Sequence, residues 1–117
     1  MNDDALDNQM SFSYGPGCYL RDGREFTGQI ILDAHKLFLK GGQGEISLTF
    51  IPLEKIYKVC FFWNRLKVFA RPSSFTQFTA VITGERREMQ GLVRDLAQRR
   101  GFRRKKFGLE WVDPDVC

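Results

Sequence analysis

The chain has 117 residues, of which 43% are hydrophobic and 27% are charged, with a formal net charge of +4. This length and composition fit one globular domain with one core. The longest unbroken apolar run is only residues 59–63, far short of the roughly 20 apolar residues that a membrane-spanning helix requires.

The N-terminal segment is polar and acidic, and it lacks the cationic start and apolar stretch of a secretory signal. We therefore expect a cytoplasmic protein. Residues 1–17 also contain a Gly-Pro-Gly sequence, so they are predicted to be a disordered lead-in to a domain that spans residues 18–101. Residues 102–117 are predicted to be a basic link followed by a tail or an extra strand.

Seven short strands are predicted from period-two alternation of apolar residues between turn signals. They cover residues 19–20, 26–32, 37–39, 45–50, 54–63, 66–71 and 75–83. Asp22-Gly23 is a hairpin turn of the type that needs positive φ. Residues 41–44, Gly-Gly-Gln-Gly, form another hairpin, and Pro52 ends the fourth strand because proline cannot donate to a ladder.

After Gly84 the apolar period changes to that of an α-helix. Its apolar stripe is Met89, Leu92, Val93 and Leu96. Glu88 in the first turn and Arg99 and Arg100 in the last match the helix dipole, and Gly101 is a natural C-terminal stop. Gly91 in the helix interior indicates a close approach to another element.

Seven antiparallel strands followed by one amphipathic helix predict an open barrel whose end is plugged by the helix. Residues 26–39, FTGQIILDAHKLFL, and residues 51–56, IPLEKI, resemble the corresponding strands of GRAM and bacterial pleckstrin-homology-like domains. The resemblance covers about residues 18–100. It implies the pleckstrin-homology-like seven-stranded barrel with its capping helix, and a binding or scaffolding role.

Residues suited to catalysis are sparse. The single histidine, His35, lies in a predicted turn, and the glycines of residues 41–44 lack the Lys-Ser/Thr ending of a phosphate-binding loop. The three cysteines are widely spaced, which argues against a disulfide framework or a zinc site. We predict a protein without enzymatic activity, catalytic residues, metal, cofactor or small-molecule substrate.

The positive charge is concentrated in one segment. Residues 86–106 hold nine Lys/Arg and two Asp/Glu, a sum of +7, whereas residues 1–85 sum to zero. The candidate anion-binding residues are Arg99, Arg100, Arg103, Arg104, Lys105 and Lys106. Three interpretations stay open: a solvated link after the helix, a surface that binds anionic lipid at the membrane periphery, and a surface that binds nucleic acid.

The fifth predicted strand is apolar on both faces. Strict alternation places Tyr57, Phe61 and Trp63 on one face, and Phe69 lies on the neighbouring strand. A strand that is apolar on both sides requires a second cover. We therefore predict that these four residues form an interaction surface for a protein partner or for self-association. Separately, Phe107, Leu109 and Trp111 alternate with Gly108 and Glu110, which predicts an additional C-terminal strand.

Overall fold

The computed structural model describes residues 11–41, 46–105 and 110–113. Within these ranges the chain is mainly β, with one long helix near its C-terminus. In chain order the elements are β1 (Phe12–Arg21), β2 (Arg24–Leu32), β3 (Lys36–Lys40), α1 (Ile46–Thr49), β4 (Ile51–Pro52), β5 (Ile56–Phe62), β6 (Arg65–Ser73), β7 (Thr76–Gly84), α2 (Arg86–Arg100), β8 (Arg103–Arg104) and β9 (Glu110–Val112). A 3₁₀ turn, Leu53–Lys55, connects β4 to β5.

These strands form one antiparallel sheet in the order β4-β3-β2-β1-β7-β6-β5-β9-β8. Two meanders, β1 to β4 and β5 to β7, are joined by the pairing of β1 with β7. The predicted Asp22-Gly23 turn is confirmed, since both residues have positive φ, 53° and 77°. Both edge strands of the described sheet, β4 and β8, are only two residues long, so neither offers a long template for another chain.

Helix α2 begins and ends where the sequence predicts. Glu85 is its N-cap and accepts a hydrogen bond from the backbone N–H of Arg87, and Gly101 ends it with a left-handed φ of 68°. The predicted apolar stripe is buried, together with Ala97, and the helix packs on β1, β6 and β7. Burial of one such side chain contributes about 1.5–3 kcal/mol, so the stripe fixes the helix on the sheet.

The predicted lead-in is wrong for residues 12–17, which belong to β1. Tyr14 of this segment is buried in the core. The Gly-Pro-Gly sequence is accommodated by a register irregularity between Ser13 and Pro16. Gly17 serves close packing, since a Cβ there would clash with Cδ1 of Ile30. Residues 1–10 lie outside the described residues.

The fourth predicted strand is also wrong, because residues 46–49 form helix α1 and only Ile51–Pro52 pair with β3. The side chain of Thr49 explains the difference. Its Oγ1 accepts a hydrogen bond from the N–H of Leu39 at 3.0 Å and donates to the carbonyl of the same residue at 3.3 Å. This hydroxyl therefore makes the hydrogen bonds to the backbone N–H and carbonyl of Leu39 that a neighbouring strand would otherwise make. Residues 42–44 of the predicted hairpin lie outside the described residues.

The close approach predicted at Gly91 is not observed. A Cβ at this position would lie 3.8 Å from Nη2 of Arg94 and 3.9 Å from Cε1 of Tyr14, which are ordinary van der Waals distances. The helix therefore tolerates alanine here.

The additional C-terminal strand is confirmed as β9. Trp111 lies opposite Val59 of β5 and opposite Arg104 of β8. Phe107 and Leu109, which contributed to this prediction, lie outside the described residues. Strand β9 covers the edge of β5 and so extends the sheet beyond seven strands.

Candidate functional site

A groove of about 890 Å³ lies between the end of β5, helix α2 and the segment that contains β8 and β9. We call it the α2 groove. Its aromatic lining residues are Phe61, Phe62, Trp63, Phe102 and Trp111, and its cationic ones are Arg86, Arg94 and Arg104. No Asp or Glu is among the described residues that line it. The groove is thus apolar and cationic at once.

The chain reversal after α2 builds the apolar floor of the groove. Gly101 allows the chain to turn, and the N–H of Phe102 donates to the carbonyl of Ala97 at 2.9 Å. The chain then returns along the sheet as β9, which places Trp111 beside β5. Phe61 and Trp111 are half-buried and pack against the main core, so the floor is held in place by the fold itself.

Two of the arginines lie over tryptophan rings. The Cζ atom of Arg86 is 4.2 Å from the centroid of Trp63, and that of Arg104 is 5.2 Å from the centroid of Trp111. Stacking uses the flat face of a guanidinium and leaves the N–H groups at its edge able to donate. These two pairs therefore place hydrogen-bond donors beside apolar rings.

The arginines of the groove have few acidic partners. Among the described residues, Arg86 and Arg104 form no ion pair with a carboxylate, whereas Nε of Arg94 is 3.5 Å from Oδ1 of Asp95. The side chain of Arg94 is 77% exposed, and such surface pairs contribute about 0–1 kcal/mol. The positive charge of the groove is therefore largely uncompensated by the described part of the protein.

Two residues of the groove break local rules of stability. Trp63 has a left-handed φ of 61° and its side chain is 61% exposed, although this conformation is costly for bulky residues. Arg86 is the first residue of α2, where the helix dipole disfavours a cation. Residues that cost stability without filling a core are typical of functional sites.

The first two residues of the predicted basic run are structural. Arg99 donates to the backbone carbonyl of Asp33. Arg100 donates through Nη2 to the carbonyl of Ile56 at 3.0 Å and to Oδ2 of Asp113 at 2.9 Å. Arg99 thus ties the end of α2 to the turn after β2, and Arg100 ties it to β5 and to the residue after β9.

The rest of the basic run is exposed. Arg103, Arg104 and Lys105 are exposed, although Nζ of Lys105 is 3.5 Å from Oε1 of Glu110. Of these three, only Arg104 lines the α2 groove. Lys106 lies outside the described residues. Of the five described candidate cations, two are therefore engaged within the fold and one lines the groove.

The predicted interaction surface is split in two. Phe61 and Trp63 line the α2 groove, whereas Tyr57 and Phe69 contact each other elsewhere, with ring centroids 6.2 Å apart. The cause is a register irregularity between Ile56 and Lys58, which ends the strict alternation on which the prediction depended. Three cations lie over the two separate rings, namely Lys58, Lys67 and Arg71.

The surroundings of His35 are those of a structured turn. His35 is exposed, and its backbone N–H donates to Oδ1 of Asp33 at 2.8 Å, as does that of Lys36. Partial burial raises the pKa of Asp33, but these bonds and the Lys36 ammonium outweigh it and hold the pKa below its usual value. Within the described ranges, no cluster of three or more His, Cys, Asp or Glu side chains is arranged to hold a metal ion.

The places of Arg86, Arg94 and Trp111 in the groove were not predicted from the sequence. A signal existed for Arg86, since a cation in the first turn of a helix conflicts with the dipole. The position of Trp111 beside α2 depends on the return of the chain along β5, which alternation alone does not specify.

Comparison with known proteins gives no match to a family model, a curated protein or a solved structure. None of the helices in the described residues is both long and apolar enough to span a bilayer.

Proposed function

We propose that this protein is a non-enzymatic binding module of the pleckstrin-homology-like class, which binds a segment of a protein partner in the α2 groove. The proposed class is supported by a mainly β antiparallel sheet, in which two meanders are joined through β1 and β7, and by one helix packed on that sheet. The single observation that carries the binding role is the groove, where exposed Trp63 and Phe62 border a fixed apolar floor.

The shape of the groove favours a protein segment. Its volume of about 890 Å³ accommodates several side chains, and apolar pockets with a few placed polar groups are typical binding sites. The partner is either a different protein or a second copy of this chain. Both belong to the same proposal, because both place side chains on the floor formed by Phe61 and Trp111.

The proposal is tested with peptides from a random 12-residue library, selected on the full-length protein. Dissociation constants of the selected peptides are then measured by fluorescence anisotropy against wild type, Trp63→Gly and Phe75→Ser. Phe75 is 97% exposed in the β6–β7 turn and does not line the groove, so it is the matched control. We expect about a tenfold loss of affinity for Trp63→Gly, typical of an aromatic anchor, and no change for Phe75→Ser.

Two results would count against this function: no peptide is selected, or both variants bind as wild type does. Light scattering after size-exclusion chromatography separates the two kinds of partner. A dimer that Trp63→Gly dissociates identifies a second copy, and a monomer at high concentration identifies a different protein.

The second candidate function is binding of an anionic surface, either acidic lipid or nucleic acid, through residues 99–106. Its support is the exposure of Arg103, Arg104 and Lys105. A cation at an anionic membrane surface contributes about 1 kcal/mol, so these three contribute up to about 3 kcal/mol, while Arg99 and Arg100 are engaged within the fold. Sedimentation with vesicles that contain or lack phosphatidylserine tests it, and equal sedimentation with both would exclude the lipid form.

A further inference from the structure

The arginines and aromatic rings of the α2 groove indicate the chemistry of the segment that it binds. We infer that the bound segment contains carboxylates on both sides of a large apolar side chain. This inference rests on the proposed function, since it specifies the partner of the same groove. It follows from the placement of the arginines and from the absence of carboxylates among the described lining residues.

The first step concerns where the charges lie. Arg86 is at the N-terminal end of α2, Arg94 is near its middle, and Arg104 follows its C-terminal end. A helix of 15 residues is about 22 Å long. The cations are thus distributed along the groove, so that a ligand lying in it meets a guanidinium near each end.

The second step concerns what these guanidiniums recognise. The guanidiniums of Arg86 and Arg104 lie over the rings of Trp63 and Trp111, and neither forms an ion pair with a described carboxylate. A guanidinium edge matches a carboxylate, with which it forms paired hydrogen bonds. The rings beneath them require an apolar group between the two acids. A ligand with both features places its apolar side chain on the floor of the groove and its carboxylates on the arginines.

The third step distinguishes a peptide from a membrane. The floor residues Phe61 and Trp111 are half-buried, whereas Trp63 at the mouth of the groove is 61% exposed, so a flat bilayer would contact the exposed ring and leave the floor unfilled. An extended peptide reaches both. We therefore favour an acidic and apolar protein segment, and an anionic lipid surface is one outcome of the test.

The experiment uses the full-length protein and the library-selected peptides. We expect these to be enriched in Asp and Glu on both sides of an aromatic or Leu residue. For the tightest peptide, replacement of its acids by Asn or Gln is expected to weaken binding by about tenfold, and Arg86→Gln by about fivefold. Arg87→Gln is the matched control, since Arg87 is the adjacent exposed residue of the same helix and does not line the groove.

A charge reversal separates recognition from a structural effect. Arg86→Glu is expected to lose affinity for the acidic peptide and to regain part of it for the peptide in which the facing acid is replaced by Lys. The fluorescence of Trp63 and Trp111, the two tryptophans of the chain, should change on binding because both line the groove.

The outcomes are distinguishable. Selected peptides that bind in a Trp63-dependent way but show no acid enrichment would overturn this inference and leave the proposed function intact. If no selected peptide depends on Trp63 for binding, both this inference and the proposed function are overturned. A third outcome is that phosphatidylserine vesicles displace a bound acidic peptide and that vesicle binding also depends on Arg86. This would show that the groove binds an anionic lipid surface and would overturn the peptide assignment.

Discussion

The two long sides of helix α2 differ in how their polar groups are used. On the side that faces β1, the hydroxyl of Tyr14 donates to Oδ2 of Asp95 at 2.6 Å, and Arg99 donates to a backbone carbonyl. On the side that faces the groove, Arg86 lies over an exposed tryptophan and forms no ion pair with the described carboxylates. The first side is arranged for stability, and the second retains donors that a partner can use.

The largest expected effect comes from the C-terminal end of the helix, where Nη2 of Arg100 donates to both a backbone carbonyl and a carboxylate. Arg100→Met keeps the aliphatic part of the side chain but removes the guanidinium that contacts Ile56 and Asp113. The side chains of Arg100 and Asp113 are only 22% and 12% exposed, and removal of one partner of such a pair is costly. We expect the free energy of unfolding to fall by about 2–3 kcal/mol in urea denaturation.

Arg103→Met is the control for this change, because Arg103 is exposed and its loss should alter stability by less than about 0.5 kcal/mol. Equal effects of the two variants would contradict the division of the basic run into structural and exposed parts.

The next effect concerns the side that faces β1. Tyr14→Phe removes the hydrogen bond to Asp95 and should lower the free energy of unfolding by about 1–2 kcal/mol at neutral pH. Burial, followed by the bond to Asp95 and the charge of its carboxylate, raises the pKa of Tyr14 well above its ordinary value of 10.0. Above pH 10 the unfolded tyrosine ionises while the folded one stays protonated, so the stabilisation is lost as pH rises.

The difference in the free energy of unfolding between wild type and Tyr14→Phe should therefore be constant between neutral pH and pH 9 and should narrow above pH 10, as measured by denaturation over a pH series. If this stability difference widens at high pH instead, the pKa of Tyr14 is not raised in the folded protein.

A substitution in the groove should raise the free energy of unfolding rather than lower it. Trp63→Gly relieves a left-handed conformation that costs a bulky residue about 1–2 kcal/mol, and Trp63 loses little burial. Part of this gain is offset by the greater chain entropy of glycine and by the contact with Arg86. We expect the free energy of unfolding to rise by up to about 1 kcal/mol while groove binding weakens. A large loss of stability would mean that Trp63 supports the fold.

The sequence predicts those parts of the molecule in which local patterns agree with the fold. Helix α2, its cap at Glu85 and its stop at Gly101 follow from apolar spacing and residue type, and the Asp22-Gly23 turn follows from backbone preference. Residues 12–17 and 46–50 were predicted wrongly because tertiary contacts prevail there. The hydroxyl of Thr49 replaces a strand partner, and Gly17 permits close packing rather than a break.

The candidate site was predicted only in part, for a similar physical reason. Phe61, Trp63 and Arg104 were singled out from composition and alternation, but their grouping depends on the turn at Gly101 and on the pairing of β9 with β5. The irregularity after Ile56 separates Tyr57 from them. Such long-range registers depend on the whole fold and are not encoded in any short segment.

The smallest expected effect tests whether the interior of α2 is optimised for stability at all. Gly91→Ala adds a methyl group at a position with ordinary van der Waals distances to its neighbours, and alanine is favoured over glycine within a helix by about 1 kcal/mol. We expect the free energy of unfolding to rise by about 0.5–1 kcal/mol, with peptide affinity unchanged, because Gly91 does not line the groove. A loss of stability would show that the helix and β1 approach more closely than these distances indicate. A gain in stability with weaker peptide binding would instead mean that the position of Arg94 depends on the side of the helix that faces β1, and the two sides would then no longer be separable.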